Sequence, residues 1–389
     1  MPSSTITSGV QYSGIWTMNQ VNAAIAAGTW TGFRLLYGSG RNNSQNPALG
    51  LNNITNYSSP KQVSGGRTNW ASVTAGTGFT LAIESSGALW SWGYGVTGAL
   101  GYAASYVSSP KQVGALTNWL VAAAGYSGCS AIKTDGTFWS WGSSTFGQLG
   151  LGNTSSYDSP KQVGALTTWA SLARGYYHTL AVKTNGTIWS WGNNVYGQLG
   201  LGNTTNYSSP KQIGALTAWL SVACGFYHTL AIKTNGTLWS WGRNNKGQLG
   251  LNNLTSYYVS PVQVGALTTW SKIACGDEHT IAIKTDGTLW AWGWNQYGQL
   301  GDGTVTERSS PVQIGSLTTW SILGGSGFAC RTTTAIKTDG TLWSWGRNDY
   351  GQLGLGNTTN YSNPKQVGAL TTWFAASRGR DHNMEAFTT

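Results

Sequence analysis

The stretch His178-Thr179-Leu180-Ala181-Val182-Lys183-Thr184-Asn185-Gly186-Thr187-Ile188-Trp189-Ser190-Trp191-Gly192 decides how the rest of the chain folds. Its two halves alternate in polarity, as strands do, and Asn185-Gly186 lies between them. An Asn-Gly or Asp-Gly pair between alternating runs predicts a hairpin, with positive φ at both turn residues. The same signal returns at Asp135-Gly136, Asn235-Gly236, Asp286-Gly287 and Asp339-Gly340. W-x-W-G returns at Trp90–Gly93, Trp139–Gly142, Trp239–Gly242, Trp290–Gly293 and Trp343–Gly346, with a degenerate copy in Tyr37-Gly38-Ser39-Gly40. Gly-to-Gly spacings of 53, 49, 50, 50, 51 and 53 define seven units, a period in the propeller range.

Outward from the hairpin, a loop through Gly197-Gln198-Leu199-Gly200 leads to Ser209-Pro210-Lys211-Gln212-Ile213, where the proline suits the start of a strand. Trp219 to Gly225 supplies a further strand. Four short strands per unit and no long helix predict an all-β, seven-bladed β-propeller over residues 31–389. The repeat frame is offset from the chain ends. The last unit stops at His382 to Phe387 without a W-x-W-G partner, and the first begins with that partner alone. The strand at about 33–40 is therefore expected to pair with the one at about 382–388, which closes the ring and removes its open edges. Residues 1–30 do not repeat and form a separate N-terminal segment.

Composition agrees. The 389 residues include 55 Gly and 22 Trp, and only 9% are charged. A hydrophobic fraction of 40% argues against disorder, and the glycines have no period of three. No run approaches the roughly 18 apolar residues of a membrane span. The net charge of +10 includes Lys61, Lys111, Lys161, Lys211 and Lys365 in S/N-P-K-Q, and Lys133, Lys183, Lys233, Lys284 and Lys337 in I/V-K-T. Ten lysines spread evenly around a ring read as a solubilising surface, not a specific nucleic-acid patch. Cys129, Cys224, Cys275 and Cys330 show no metal-binding spacing and read as buried thiols. No metal or cofactor is expected. The N-terminus lacks a basic and an apolar region, so no signal peptide is expected and synthesis is placed in the cytosol.

C-G-x-x-H-T-x-A-I at Cys224–Ile232 and G-T-L-W-S-W-G-x-N-x-x-G-Q-L-G at Gly236–Gly250 resemble the regulator of chromosome condensation repeat. The resemblance covers residues 31–389 and implies a seven-bladed propeller. It is nearly silent on activity, because members serve as exchange factors for a small GTPase, as an ultraviolet-B photoreceptor and as a secreted β-lactamase inhibitor. The exchange factor uses a β-wedge insertion and a basic tail. Here no spacing exceeds 53, and residues 1–30 contain no Lys or Arg. The photoreceptor carries G-W-R-H-T where this chain has Gly175-Tyr176-Tyr177-His178-Thr179 and its counterparts, so no tryptophan cluster is expected there.

His178, His228, His279 and His382 share one repeat position, which Phe79 and Gly128 fill in two other copies. They read as structural. Asp277-Glu278 beside His279 is the one titratable cluster and reads as a polar rim, so no catalytic set is expected. Where near-identical copies diverge, the fold does not dictate the residue. One divergent site is the pair before the histidine: Thr77-Gly78, Tyr126-Ser127, Tyr176-Tyr177, Phe226-Tyr227, Asp277-Glu278, Arg380-Asp381 and an enlarged loop at Ser326-Gly327-Phe328. Another follows W-x-W-G: Tyr94, Phe146, Tyr196, Arg243 with Lys246, Trp294 with Tyr297, and Arg347 with Tyr350. Exposed Tyr, Trp and Arg on loops of a rigid ring suit partner binding.

In the N-terminal segment, Ile15-Trp16 and Trp30 lie in a G-I-W…A-x-x-x-G-x-W element similar to one in virion structural proteins of bacterial viruses. They form a candidate assembly joint. The expectation is a non-enzymatic propeller in a virion, as a capsid decoration, tail or receptor-recognition protein. Its partners would be virion components or a host surface receptor, glycans included. The alternative is a soluble adaptor or inhibitor using one propeller face, with a GTPase-exchange or chromatin factor more distant.

Overall fold

Every repeat closes into one antiparallel four-stranded sheet in the computed structural model, which describes residues 33–215, 217–325 and 330–389. Blade 3 shows the plan. Its inner strand Trp169–Arg174 pairs with His178–Lys183, that strand with Ile188–Gly192, and that one with the outer strand Tyr207–Gln212. Blades 1 to 6 begin at Trp70, Trp119, Trp169, Trp219, Trp270 and Trp320. Blade 7 is built from both ends of the chain, in the order Tyr57–Gln62, Arg34–Gly40, His382–Thr388, Trp373–Arg378. Its register runs unbroken from Arg34↔Thr388 to Gly40↔His382, so the expected closure is present. Inner strands of successive blades are neighbours, from Trp70–Ala75 round to Trp373–Arg378 and back. No helix long and apolar enough to cross a membrane occurs among the described residues.

The hairpin turns differ in type from the expectation. Gly186 has φ +75°, but Asn185 is not among the residues with positive φ. Gly186 N–H donates to Lys183 O, and Lys183 N–H donates to Thr187 O, both at 2.9 Å. The loop is therefore a three-residue connection ending in a glycine bulge rather than a two-residue primed turn. Asn185 serves through its side chain instead: Oδ1 accepts from Thr187 N–H and Oγ1–H at 3.1 and 2.8 Å. That role explains why Asp replaces Asn freely at this position.

Two tryptophan positions build the spaces between blades. The second indole of each W-x-W-G is fully buried and donates Nε1–H to a backbone carbonyl of the preceding blade, as Trp191 and Trp241 do to Gln148 O and Gln198 O at 3.1 and 3.0 Å. Blade 7 has Ser39 in that place. Ser39 Oγ–H and Asn383 Nδ2–H take the equivalent carbonyl, Gln352 O, at 3.3 and 2.6 Å. Glu385, opposite Tyr37 in the register, occupies the strand position that Ala181, Ala231 and Ala282 hold in other blades. It is 2% exposed, its Oε2 has no hydrogen-bond partner, and burial pushes its pKa up to about 8.

The I/V-K-T lysines are not the solubilising surface expected. Lys183 is 8% exposed and lies 3.8 Å from the Trp189 ring centre and 4.9 Å from that of Trp169. Lys133, Lys233, Lys284 and Lys337 repeat the sandwich. An ammonium can be covered this way because the indole faces offer it negative potential. Blade 1 exchanges the parts. Glu84 stands where the lysine would be, and Arg67 from the preceding connector covers Trp90 at 3.3 Å while pairing with Glu84 at 2.8 Å. Blade 7 substitutes an aromatic set, Phe387 against Tyr37 and Trp373 at 5.1 and 5.2 Å. The lysines of S/N-P-K-Q are exposed, as expected.

Candidate functional site

In an antiparallel blade, the loop between the first and second strands and the loop between the third and fourth emerge at the same end. The two divergent sites of the sequence therefore share one face of the ring. The hairpin turns and the connectors between blades lie at the opposite end, termed here the turn face.

The histidine motif holds the loop face in shape. His178 Nε2 lies 3.2 Å from Thr229 Oγ1 of the next blade, and Thr229 Oγ1–H donates to Gln198 O at 2.9 Å. The threonine proton is thus committed, which makes His178 Nε2–H the donor and leaves Nδ1 bare. His228 with Thr280, His279 with Thr333 and His382 with Thr80 repeat the contact. Burial pushes the pKa of His178 and His228 down to about 3 and that of His382 to about 4. Glycine precedes the divergent pair because the imidazole occupies its side-chain space. A Cβ on Gly225 would sit 2.1 Å from His228 Cε1. The histidines therefore act as inter-blade struts, in keeping with the sequence reading. In blade 6 the position belongs to Thr332, so Arg331 is the residue that faces outward there. Ser326, Gly327 and Phe328 lie outside the described residues, as do Ile15, Trp16 and Trp30.

From blade 2 to blade 4 the face is aromatic. Tyr126 meets Tyr176 at 4.6 Å, Phe146 meets Tyr177 at 4.8 Å, and Tyr176 stacks on Phe226 at 4.1 Å with planes 28° apart. Phe226 touches Tyr227 at 4.4 Å, and Tyr227 touches Tyr196 at 5.0 Å. These rings are half-buried, not exposed as the sequence suggested, because each covers part of the next.

Arg243 ends the aromatic run. Its guanidinium lies over Tyr196 at 5.1 Å and pairs with Glu278 at 3.0 Å. Beyond it the face alternates arginine and carboxylate. Arg331 pairs with Asp277 at 3.3 Å and lies over Trp294 at 4.9 Å and Tyr297 at 5.6 Å. Arg347 pairs with Asp349 at 2.6 Å and Asp381 at 3.4 Å, and Arg41 approaches Asp381 at 3.3 Å while covering Tyr350 at 5.2 Å. Arg380 is exposed, 3.8 Å from Asp381, and Lys246 pairs with Glu307 at 2.7 Å. Burial raises the pKa of Asp277 and Glu278 despite the arginines beside them. Such part-exposed pairs contribute about 1 kcal/mol or less each, so they fix the guanidinium planes more than they stabilise the ring.

The structure thus places the described residues of both divergent sites on one face. Sequence comparison missed Arg331 and Arg41. Counting back from Ile336-Lys337 to the histidine position would have found the first, and the degenerate copy Tyr37–Gly40 conceals the second. Among the described residues, no group of three or more His, Cys, Asp or Glu could hold a metal ion. The cysteines are all buried, and burial pushes the thiols of Cys129 and Cys224 up. Stacked rings with fixed guanidinium edges can bind apolar and acidic groups side by side.

The RCC1-like domain pattern matches residues 15–267, and the regulator of chromosome condensation (RCC1) repeat matches 270–299, 286–326 and 339–384. The ultraviolet-B receptor UVR8 of Arabidopsis thaliana is 38% identical over 97 residues, which are 25% of this chain and 22% of the receptor. Human WBSCR16 superposes with a TM-score of 0.80 at 21% identity, over 92% of this chain and all of that one. Prp20p of Saccharomyces cerevisiae, with binding properties toward Gsp1p and histones, superposes at 0.81 with 19% identity, covering 92% of each chain. At these identities the two structures show a shared fold.

Proposed function

Because this chain belongs to the RCC1-like domain family, we propose that it is a non-enzymatic binding module that holds a protein partner on its loop face. The observation that carries the reading is the continuous arc from Tyr126 to Tyr350, in which residues that the repeat does not dictate are aromatic, then arginine and carboxylate in alternation, and touch one another. Tyr, Trp and Arg bring large contact area at low ordering cost, and the ring holds them in place before binding. A partner with an apolar patch flanked by carboxylates fits this order of groups. The named binding of Gsp1p and histones by Prp20p is a precedent for protein recognition on this fold. The test is purification of partners on the native chain and on Tyr177→Ala/Tyr227→Ala and Arg243→Ala/Arg331→Ala. A stoichiometric partner lost from both variants supports the proposal, and one that both variants retain refutes it.

A second reading, attachment to a viral particle, rests on the sequence of residues 15–30 alone. On that reading, residues 1–30 are a joint, the propeller is a separate domain, and the loop face meets a host protein or glycan. Deleting residues 1–30 would then abolish particle association while leaving the propeller melting unchanged. If the deletion leaves association intact, the joint reading fails.

A further inference from the structure

The turn face differs from the loop face in a way that the binding proposal does not use. Six of the seven connectors from an outer strand to the next inner strand read G-A/S-L-T, the one into blade 1 carrying Gly65-Gly66-Arg67-Thr68 instead. In the five whose leucine is described, that side chain stands in solvent. Leu116, Leu166, Leu267, Leu317 and Leu370 are 47, 49, 48, 48 and 45% exposed. The connectors protrude, since a Cβ added at Gly114, Gly164, Gly265, Gly315 or Gly368 would meet nothing within 4 Å. Beside them lie the half-buried first indoles of W-x-W-G with their covering lysines. Between connector and blade runs an apolar groove, about 400 Å³ beside Leu370 and Trp373.

Nothing in the fold requires leucine at an exposed loop position, yet the described connectors from blades 1, 2, 4, 5 and 6 carry it at one height around a ring. A single protein partner would select a patch, as the divergent loop face does. A ring of identical contacts fits a partner that is uniform in two dimensions. Charge narrows the choice. Loop-face arginines are matched by carboxylates, Arg174 and Arg378 are buried, and Asp135, Asp286 and Asp339 sit beside Lys133, Lys284 and Lys337. The exposed, unmatched positive charge therefore lies on the outer-strand lysines Lys61, Lys111, Lys161, Lys211 and Lys365. Apolar side chains flanked by lysines and interfacial indoles match the headgroup layer of an anionic bilayer. Nucleic acid would use the charge and leave the leucines in water.

We propose that the turn face docks the propeller on an anionic lipid surface, with the connector leucines entering the headgroup layer and the lysines supplying the attraction. The test is flotation of the full chain with phosphatidylcholine vesicles, with and without phosphatidylglycerol. Binding is expected only with phosphatidylglycerol and should weaken with salt. The variant Leu116→Ser/Leu166→Ser/Leu267→Ser/Leu317→Ser/Leu370→Ser should bind about tenfold more weakly or worse, since each leucine loses its transfer gain, while melting like the native chain. Should it melt early, Leu166→Ser/Leu267→Ser gives the same reading at smaller scale. No flotation overturns the proposal. So does undiminished binding by a folded leucine variant with full competition by heparin, which would mark a polyanion site. Self-association by light scattering that disappears with the leucines, without vesicle binding, would assign the face to a second copy and also overturn it. Each outcome is independent of the loop-face variants.

Discussion

Glu385→Gln should stabilise the protein, and by an amount set by pH. Glu385 is enclosed in the closing blade where other blades have alanine, and its carboxyl is pushed from 4.5 up to about 8 with burial the sole cause. The neutral form is therefore the folded form. In the unfolded chain the carboxyl ionises above about pH 4.5, so stability is fully present below that value and is lost as pH rises toward 8. At 1.36 kcal/mol per unit, the loss is about 3 kcal/mol at pH 7 and approaches 5 kcal/mol at pH 8 and above. Glutamine keeps the shape and cannot ionise. Urea unfolding followed by tryptophan fluorescence should show the variant and native chains nearly equal at pH 4. At pH 8 the variant should be the more stable by several kcal/mol. A difference that is the same at pH 4 and pH 8 refutes the argument, because it would show that the group is neutral in both states or ionised in both.

The histidines act with the opposite slope: His178 and His228, held near 3, stay neutral in the ring but bind protons once unfolded. Stability should fall as pH drops below about 6.5, by about 1.4 kcal/mol per unit for each such histidine. Denaturant midpoints between pH 7 and 4.5 check this, and a flat profile in a chain whose histidines are intact would contradict it. Gly225→Ala should cost about 2 kcal/mol or more, since the new methyl meets the His228 ring at 2.1 Å. Thermal melting of this variant beside Gly325→Ala, where the backbone is not left-handed and a new methyl meets nothing closer than 3.5 Å, separates the clash from the general effect of replacing glycine. Trp241→Ala should cost about 3–5 kcal/mol, chiefly through an inter-blade cavity, with the loss of one of the two hydrogen bonds to the Gln198 carbonyl, which Thr229 keeps, read from the same melts.

The fold was legible because its signals are local and repeated. Alternation, Asn/Asp-Gly and W-x-W-G each recur, and the offset of the frame dictated the closure that Leu35↔Phe387 and Tyr37↔Glu385 display. The turn type was not legible, because Asn185 fits a primed turn and a side-chain-capped bulge equally well. The burial of Lys183 was hidden for a related reason: its covering indoles, Trp169 and Trp189, come from different strands, so no short window shows them together. Part of the candidate site could be read from divergence between copies, which marks positions the fold leaves free. Divergence does not reveal that Tyr176, Phe226 and Tyr227 cover one another, since those contacts cross blades. Nor could it align Arg331, displaced by a loop of unequal length.

Blade 7 also sets a condition on synthesis. Its two middle strands, Arg34–Gly40 and His382–Thr388, are the first and the last of the ring to be synthesised. Until His382–Thr388 has been made, the strand Arg34–Gly40 has no partner on that side, and the layers of blades 1 and 6 that face blade 7 stay open. Translation that stops before His382 therefore yields a chain that cannot complete its circle, however many perfect repeats it contains. The ring acts as a length check on the propeller, in which only a chain that reaches its closing strand hides its edges, and shorter chains remain open to chaperones and proteases.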